Sequence, residues 1–260
     1  MSFVERLKEA DVKIAFFDIE TKPVLGYTWG LFKQYLSLDQ IVDPGGLLSF
    51  AYKILGEEET VFVSEWTHGY DNMVREAHRF FNSVDVVIGY NSDRFDIRKL
   101  NSYFIEARIE TPKPYKSIDL FKESKKNFAF PSGKLDYLAQ RTVNDKKTPH
   151  QGFKMWLDVM AGDKEAQKLF QEYNVQDVQL LEHLYLSHLS WWSSTFNMSM
   201  LMEIEDGCPR CGSQDMQELV GSKVYTAQQT YTLFQCQECK TYSRNTIRLQ
   251  EPNKFRRVVG

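Results

Sequence analysis

Two carboxylates stand one residue apart at the end of an apolar run, in Ile14-Ala15-Phe16-Phe17-Asp18-Ile19-Glu20-Thr21. If the run is a β-strand, residues i and i+2 point to the same face, so Asp18 and Glu20 share one small space. Like charges that close repel each other unless a cation lies between them, and hard oxygen ligands suit Mg²⁺ or Mn²⁺. The alternative is a pair of hydrated acids at a strand end.

A third acid follows a second apolar run. The segment Val86–Tyr90 predicts a buried strand that leads into a helix, and Asp96 falls near the N-terminus of that helix. We predict that Asp93 caps the helix and that Phe95 packs inward, which leaves Asp96 to point back towards the first two acids. Asp96 could instead be a first-turn acid that the helix dipole stabilises.

The fourth acid lies in a long predicted helix. Tyr173 and Asp177 are four residues apart and therefore lie on one helical face, beside an apolar stripe of Val178, Leu181 and Leu184. An isolated charge beside a buried face is costly, and a metal ion would offset that cost. Asp177 could equally be hydrated at the edge of the stripe, with Tyr173 as an ordinary aromatic at the rim.

Together the three segments resemble the motifs of the DEDD superfamily of 3′–5′ exonucleases, in particular the proofreading-exonuclease domain of family B DNA polymerases. The matching segments are Phe17-Asp18-Ile19-Glu20-Thr21, Gly89-Tyr90-Asn91-x-x-x-Phe95-Asp96 and Tyr173-x-x-x-Asp177, in that order. The resemblance covers roughly residues 12–186, and the tyrosine before the last acid is typical of the tyrosine-bearing branch.

The resemblance implies catalysis by two Mg²⁺ or Mn²⁺ ions. Asp18 would bridge both ions, Glu20 and Asp177 would complete one site, and Asp96 would hold the other largely through water. Tyr173 would orient the attacking water, because a phenol with a pKa of about 10 is a poor base at neutral pH.

The resemblance also implies the substrate and the product. We expect a metal-dependent 3′–5′ exonuclease that hydrolyses single-stranded nucleic acid, with DNA favoured, and releases nucleoside monophosphates. Asn91 and Phe95 would shape the pocket for the terminal nucleotide, although Phe95 could instead be a core residue. The sequence shows no polymerase segment, so proofreading would have to be performed in trans.

Two other functions stay open. A two-metal acid cluster does not itself choose the sugar, so a 3′–5′ exoribonuclease is a rival within the enzyme class. A non-catalytic adaptor that binds nucleic acid or protein is a rival from another class, although such a scaffold has no physical need for four converging acids.

A basic segment, residues 113–147, carries nine Lys and Arg residues against four acids, with aromatic residues between them. Lysines neutralise phosphates and aromatic faces stack on bases, so the segment is a candidate surface for single-stranded nucleic acid. A hydrated loop whose aromatics pack inward fits the same pattern. The residues are Lys113, Tyr115, Lys116, Phe121, Lys122, Lys125, Lys126, Phe128, Phe130, Lys134, Tyr137, Arg141, Lys146 and Lys147. His150 follows as a lone loop histidine, to which we assign no catalytic role.

Four cysteines form two CxxC pairs, Cys208 with Cys211 and Cys236 with Cys239, and 24 residues separate the pairs. This spacing predicts a zinc ribbon with one structural Zn²⁺, because four thiolates fill a tetrahedral site and leave no open position. Two CxxC pairs close together indicate a metal site in a reducing compartment rather than a disulfide framework.

Basic residues accompany the second cysteine pair, with a single acid opposing them. The ribbon could therefore bind nucleic acid near the active site, or it could dock a protein partner such as a replication or processing protein. The residues are Lys240, Arg244, Arg248, Lys254, Arg256 and Arg257, opposed by Glu251.

The elements that must position the acids follow the order β-β-β-α-β-α, then a strand, a helix and a long helix. Strands are predicted over 12–19, 47–55, 60–66, 85–90 and around 118–120, with the first three antiparallel. Helices are predicted after a cap at Asp71 and over 94–107, 135–141 and 164–189. That order fits an α/β fold with a ribonuclease H-like mixed sheet flanked by helices.

Length and charge predict two domains. The 260 residues suit one globular domain plus a small appendage, and the charge changes sign between residues 1–206 (24 basic, 31 acidic) and 207–260 (8 basic, 4 acidic). We predict an exonuclease domain over residues 1–200 and a zinc ribbon with a basic tail over 201–260. The sequence shows no membrane-spanning run and no secretory signal, which predicts a cytoplasmic protein with no membrane partner.

Overall fold

The structure is a computed structural model that describes residues 1–145, 152–192, 196–227 and 229–250. It divides into two compact units. The larger unit is Lys13–Ser187, and the smaller unit combines Met1–Val12 with His188–Gly260. The division into domains 1–200 and 201–260 stays a prediction. Within the described residues, no helix has the length and apolar character needed to cross a membrane.

Helices and strands alternate along the larger unit. The helices of the described chain are α1 (Phe3–Glu9), α2 (Glu65–His68), α3 (Tyr70–Ser83), α4 (Asp96–Glu106), α5 (Leu120–Asn127), α6 (Leu135–Thr142), α7 (Phe153–Met160), α8 (Lys164–Ser187) and α9 (Met198–Leu201). The strands are β1 (Ile14–Lys22), β2 (Leu25–Gly26), β3 (Ile41–Asp43), β4 (Gly46–Ile54), β5 (Val61–Ser64), β6 (Val86–Gly89), β7 (Lys116–Asp119), β8 (Met216–Tyr225), β9 (Thr230–Cys236) and β10 (Tyr242–Arg248).

A five-stranded mixed sheet with the order β5-β4-β1-β6-β7 forms the centre of the larger unit. β1 and β5 are antiparallel to β4, whereas β6 is parallel to β1 and β7 is parallel to β6. The predicted α/β fold, a mixed sheet flanked by helices, is confirmed, as is the antiparallel start. The central strand β1 carries the first two acids.

The two faces of β1 have different surroundings. Phe17 and Ile19 belong to a core cluster that includes Phe80 and Phe81 of α3, where Phe17 and Phe81 meet edge to face. Phe16 points to the other face, where its ring lies 5.8 Å from that of Tyr185 on α8. Because side chains alternate along a strand, Asp18 and Glu20 share the α8 face with Phe16.

The strands and helices that the sequence predicts in the larger unit are present, and several further short elements were not predicted. The sequence did not predict α2, α5 and α7, nor the two-stranded ribbon of β2 and β3. The predicted cap at Asp71 is wrong: α3 begins after Gly69, whose φ of 78° suits a glycine, and Asp71 lies in its first turn.

In the smaller unit, β8, β9 and β10 form a three-stranded antiparallel sheet in the order β10-β9-β8. Helix α1 belongs to this unit because the buried Arg6 donates a 2.9 Å hydrogen bond to the carbonyl of Cys211 and pairs with both carboxylate oxygens of Glu238. That ion pair joins the two ends of the described chain within one unit.

Candidate active site

Three of the four predicted acids come together at the end of β1. Asp18, Glu20 and the buried Asp177 of α8 each offer a carboxylate oxygen, and these oxygens all lie within 4.8 Å of one another. Negative charges at that spacing repel, so the arrangement is unfavourable until a cation screens it. An all-oxygen donor set of this kind fits Mg²⁺ or Mn²⁺. We call this cluster the acidic triad.

Asp96 lies next to the acidic triad and is not a member of it. It is the first residue of α4, it is buried, and its Oδ1 accepts a 3.3 Å hydrogen bond from the N–H of Ile19, the residue between Asp18 and Glu20. Burial raises the pKa of Asp96 to about 7, and the negative charge of Asp119 adds to the effect. Its carboxyl group therefore reaches β1 between the first two acids, as the sequence predicted.

Tyr173 contacts the triad from one turn before Asp177. Its hydroxyl hydrogen bonds to Asp177, and its ring packs near Trp156 and Phe170. Burial, followed by the negative charge of Asp177, raises the pKa of Tyr173 well above its usual value, so the phenol keeps its proton at neutral pH. The hydroxyl is a hydrogen-bond donor there and not a base.

Asn174 contacts the acidic triad and was not predicted as a site residue from the sequence. Its Nδ2 donates a 2.7 Å hydrogen bond to Oδ2 of Asp18, and its Oδ1 accepts a 2.8 Å bond from Oγ of Ser49 on β4. Both Asn174 and Ser49 are fully buried. The relay fixes one carboxylate of the triad through a chain of two hydrogen bonds. The available signal was a pair of polar residues, one inside an apolar strand and one between Tyr173 and Asp177.

A tight turn connects β6 to the loop before α4. A Cβ at Gly89 would meet the Cβ of Ser92 at 2.5 Å, so only glycine fits there, and Asn91 has a left-handed φ of 61°. The N–H of Asn91 donates to Oδ1 of the buried Asp119 at 2.8 Å. Asp119 also caps α5, accepting from Phe121 N. This role was not predicted from the sequence, where the available signal was an acid at the junction of a strand and a helix.

Two predictions about this loop are wrong. Asp93 does not cap α4, because the residue at the cap position is Phe95, and the Asp93 carboxylate instead contacts Ser117 and forms an ion pair with Lys122. Phe95 does not pack inward, because 40% of its surface is exposed beside Asp96. An exposed ring at this position leaves the predicted role at the terminal nucleotide open and excludes the core role.

The basic segment is only partly consistent with a nucleic-acid surface. All five of its aromatic residues are half-buried. The ring of Tyr115 contacts Phe81 and that of Phe121 contacts Tyr90, so these two rings pack inward, as in the alternative of a hydrated loop. Lys113 and Lys122 are engaged in ion pairs. Lys146, Lys147 and His150 lie outside the described residues.

The four cysteines form a second candidate metal centre, in the smaller unit. Their Sγ atoms lie within 4.8 Å of one another, with Cys208 to Cys239 at 3.6 Å and Cys211 to Cys236 at 3.7 Å. Those separations are too long for disulfides. They match the separation of about 3.8 Å that two thiolates have across a tetrahedral Zn²⁺ with Zn–S bonds of about 2.3 Å. The donor set therefore fits a closed zinc site.

Of the basic residues predicted around the second cysteine pair, Lys240, Arg244 and Arg248 are described. The guanidinium of Arg244 lies 3.9 Å from the ring centre of Tyr231, in cation–π geometry. Lys254, Arg256, Arg257 and the opposing Glu251 lie outside the described residues.

Comparison with known proteins identifies the superfamily to which the chain belongs. Residues 15–188 match the RNase_H_2 family, described as RNase_H superfamily. The chain belongs to this superfamily, and its sheet is the ribonuclease H-like sheet that the sequence predicted. A search of the curated proteins found no significant match.

Among solved structures, the family B DNA polymerase from the hyperthermophilic archaeon Pyrobaculum calidifontis has a similar fold, with a TM-score of 0.52 at 15% identity. The alignment covers 86% of this chain and 33% of the polymerase chain, so the protein spans about a third of that enzyme's length.

Proposed function

We propose that the protein is a metal-dependent 3′–5′ exonuclease that hydrolyses single-stranded nucleic acid, with DNA favoured, and releases nucleoside monophosphates. The observation that carries the proposal is the acidic triad: three carboxylate oxygens within 4.8 Å of one another at the end of the central strand of a ribonuclease H superfamily sheet. The motifs around Asp18, Asp96 and Asp177, and the fold shared with a family B polymerase, favour the exonuclease over other nucleases of the superfamily.

The triad and Asp96 would hold two Mg²⁺ or Mn²⁺ ions. As the resemblance implies, Asp18 would serve both ions, Glu20 and Asp177 would complete one site, and Asp96 would hold the other largely through water. When bound, a pair of such ions stabilises charge on the phosphate and acidifies a water molecule for attack on phosphorus.

The chain's own residues have positioning roles in this scheme. Asn174 holds Asp18 in one orientation, so that its carboxylate is ready for the ions without rearrangement. Tyr173, protonated and donating its O–H to Asp177, can accept a hydrogen bond from the attacking water and align that water with the phosphodiester. Asn91 and the exposed Phe95 would bind the terminal nucleotide.

The smaller unit would carry one structural Zn²⁺ on Cys208, Cys211, Cys236 and Cys239. Four protein ligands leave no position for substrate, so the ion's role is to stabilise the fold of a unit that has little core of its own. Its basic residues would bind nucleic acid or a processing partner.

Digestion of 5′-labelled single-stranded DNA and RNA of one sequence, with Mg²⁺ or Mn²⁺, tests the proposal. The wild type should shorten the labelled strand one nucleotide at a time, and Asp18→Ala and Asp177→Ala should abolish this. Asp93→Asn is the matched control, because Asp93 is a nearby acid that contacts Ser117 and Lys122 and is not in the triad.

The two substrates and the label separate the alternatives. Shortening of RNA alone would identify an exoribonuclease, and release of the label as the first product would show the opposite polarity. If neither strand shortens with either ion, the exonuclease proposal is wrong and the adaptor is favoured.

A further inference from the structure

A cavity of about 460 Å³ opens in the larger unit, and the two residues that precede Asp96 are among those that line it. Its walls are the turn Pro44–Gly46 before β4, Tyr70 at the start of α3, and the exposed side of α4. Arg98 and Lys99 line it from α4, together with Arg94 and Phe95, which precede α4. We call it the basic cavity. No motif of the sequence analysis includes its three cations.

The three cations of the basic cavity are exposed, and within the described residues their side chains have no ion pair or hydrogen bond. Other cations of the same unit are paired, as Lys22 is with Glu65 and Lys53 with Glu182. Three unpaired positive charges around one opening repel each other and favour an anionic ligand.

The cavity also has an acid, Glu106, at the far end of α4. It follows Arg98 by eight residues, which is about 12 Å along a helix. The cations therefore occupy the end near Asp96, and the acid occupies the end away from it. This polarity confines an anionic ligand to the first turns of α4.

Chain connectivity places the basic cavity next to the triad. Arg94 and Phe95 directly precede Asp96, and Gly46 pairs with Lys22, two residues beyond Glu20 on β1. A strand whose last phosphodiester lies at the triad would pass the exposed Phe95 and continue to the cations.

An exposed aromatic loop, residues 27–40, leads into the wall of the basic cavity. Hydrogen bonds between Tyr27 and Gln40 close its stem, and β3 then continues to Pro44. Trp29 is 99% exposed, and Phe32 and Tyr35 are also almost fully exposed. Large apolar side chains in water at this density indicate a binding surface, and aromatic faces stack on bases of any sequence.

Building on the proposed function, we propose that the basic cavity binds the phosphate backbone of the strand upstream of the scissile nucleotide, and that the aromatic loop stacks on its bases. The ligand is single-stranded nucleic acid, because alternating phosphates and bases match a row of cations followed by exposed rings. This surface, and not the basic segment at 113–147, carries the upstream strand.

Binding of a fluorescein-labelled 12-mer, as DNA and as RNA, tests the proposal by fluorescence anisotropy without added divalent ion, so that no hydrolysis is required. The cavity variant is Arg98→Gln with Lys99→Gln, which leaves Arg94 beside Asp96 untouched. Removing two phosphate contacts should lower the magnitude of the negative slope of log K against log salt by about 1.4. Trp29→Ala should weaken binding by roughly tenfold without changing that slope.

Two double variants with the same charge change serve as comparisons. Arg75→Gln with Lys168→Gln removes two exposed cations of α3 and α8 outside the cavity, and it should keep the wild-type slope. The proposal is overturned if the cavity variant also keeps the wild-type slope. It is equally overturned if only Lys125→Gln with Lys126→Gln lowers the slope, because the strand then follows the basic segment.

Hydrolysis of the p-nitrophenyl ester of thymidine 5′-monophosphate separates this proposal from the proposed function. This small substrate has no upstream strand, so the cavity variant should cleave it with wild-type kcat/KM. If the wild type fails to cleave both the ester and the oligonucleotide, the proposed function fails, while the salt slopes still decide the cavity. A loss of ester cleavage in the cavity variant alone would contradict the assignment to the upstream strand.

Discussion

The relay from Ser49 through Asn174 to Asp18 gives the sharpest test of how the site is built. Asn174→Ala removes the 2.7 Å bond to the Asp18 carboxylate and leaves the Ser49 hydroxyl without its acceptor in a fully buried position. A hydrogen bond to a charged group contributes about 1.5–3 kcal/mol, and an orphaned buried hydroxyl costs about 1–3 kcal/mol. We expect the free energy of unfolding to fall by about 2.5–6 kcal/mol.

Asn174→Ala should also weaken the binding of the catalytic metal ions. Asp18 would lose the donor that orients it, and loss of such an outer partner typically lowers metal affinity or activity by about 10- to 100-fold. The Mn²⁺ concentration that gives half-maximal nuclease activity should therefore rise by that factor. Ser49→Ala leaves the bond between Asn174 and Asp18 in place and should have a much smaller effect on this concentration.

The double variant distinguishes a relay from two independent contacts. In Asn174→Ala, adding Ser49→Ala removes the orphaned hydroxyl, so urea unfolding should show a recovery of about 1–3 kcal/mol. The reasoning is refuted if the two changes destabilise additively, or if Asn174→Ala uses Mn²⁺ as the wild type does.

Three further predictions concern single groups. Because the pKa of Asp96 is about 7 when folded and about 3.9 when unfolded, the folded state retains a proton that the unfolded state loses. Without added Mg²⁺ or Mn²⁺, stability in urea should thus fall between pH 4 and pH 7 by on the order of 4 kcal/mol, and Asp96→Asn should abolish that fall. Tyr173→Phe should lower kcat roughly tenfold with little change in KM, because the water and Asp177 lose a hydrogen-bond partner while the bound nucleotide does not; an unchanged kcat would exclude the positioning role. Cys211→Ser should remove hydrogen-exchange protection from β8–β10 and spare β1–β7, whereas unaltered protection of β8–β10 would contradict a structural zinc.

The elements whose bounds the sequence predicts most closely are those with long apolar periods. β4 and α8 are strongly patterned over many residues, and their predicted bounds agree closely with the structure. Helices α5 and α7 are eight residues each, and α5 is largely polar, so no period distinguishes it from a basic loop. Short helices of this kind depend on tertiary packing, which local sequence does not encode.

In the candidate active site, too, local sequence predicts only the residues that one strand or one helix places together. Asp18 and Glu20 could be identified because strand geometry alone puts them on one face, and a helical period does the same for Tyr173 and Asp177. The relay through Asn174 could not be identified from the sequence. Ser49 and Asn174 are 125 residues apart, and their contact exists only once β4 packs against α8. The predicted cap of α4 is wrong for a similar reason. The Asp93 carboxylate contacts Ser117 and Lys122, which follow it by more than 20 residues in sequence.

The central claim is that Asp18, Glu20 and Asp177 form one divalent-metal site, and Mn²⁺ binding tests it most directly. Titration of the zinc-loaded protein, with free Mn²⁺ followed by its EPR signal, needs no substrate and no turnover. The account predicts that the wild type and Asp93→Asn bind Mn²⁺, and that Asp18→Asn and Asp177→Asn lose this binding. Equal binding by the wild type and the two triad variants would contradict it.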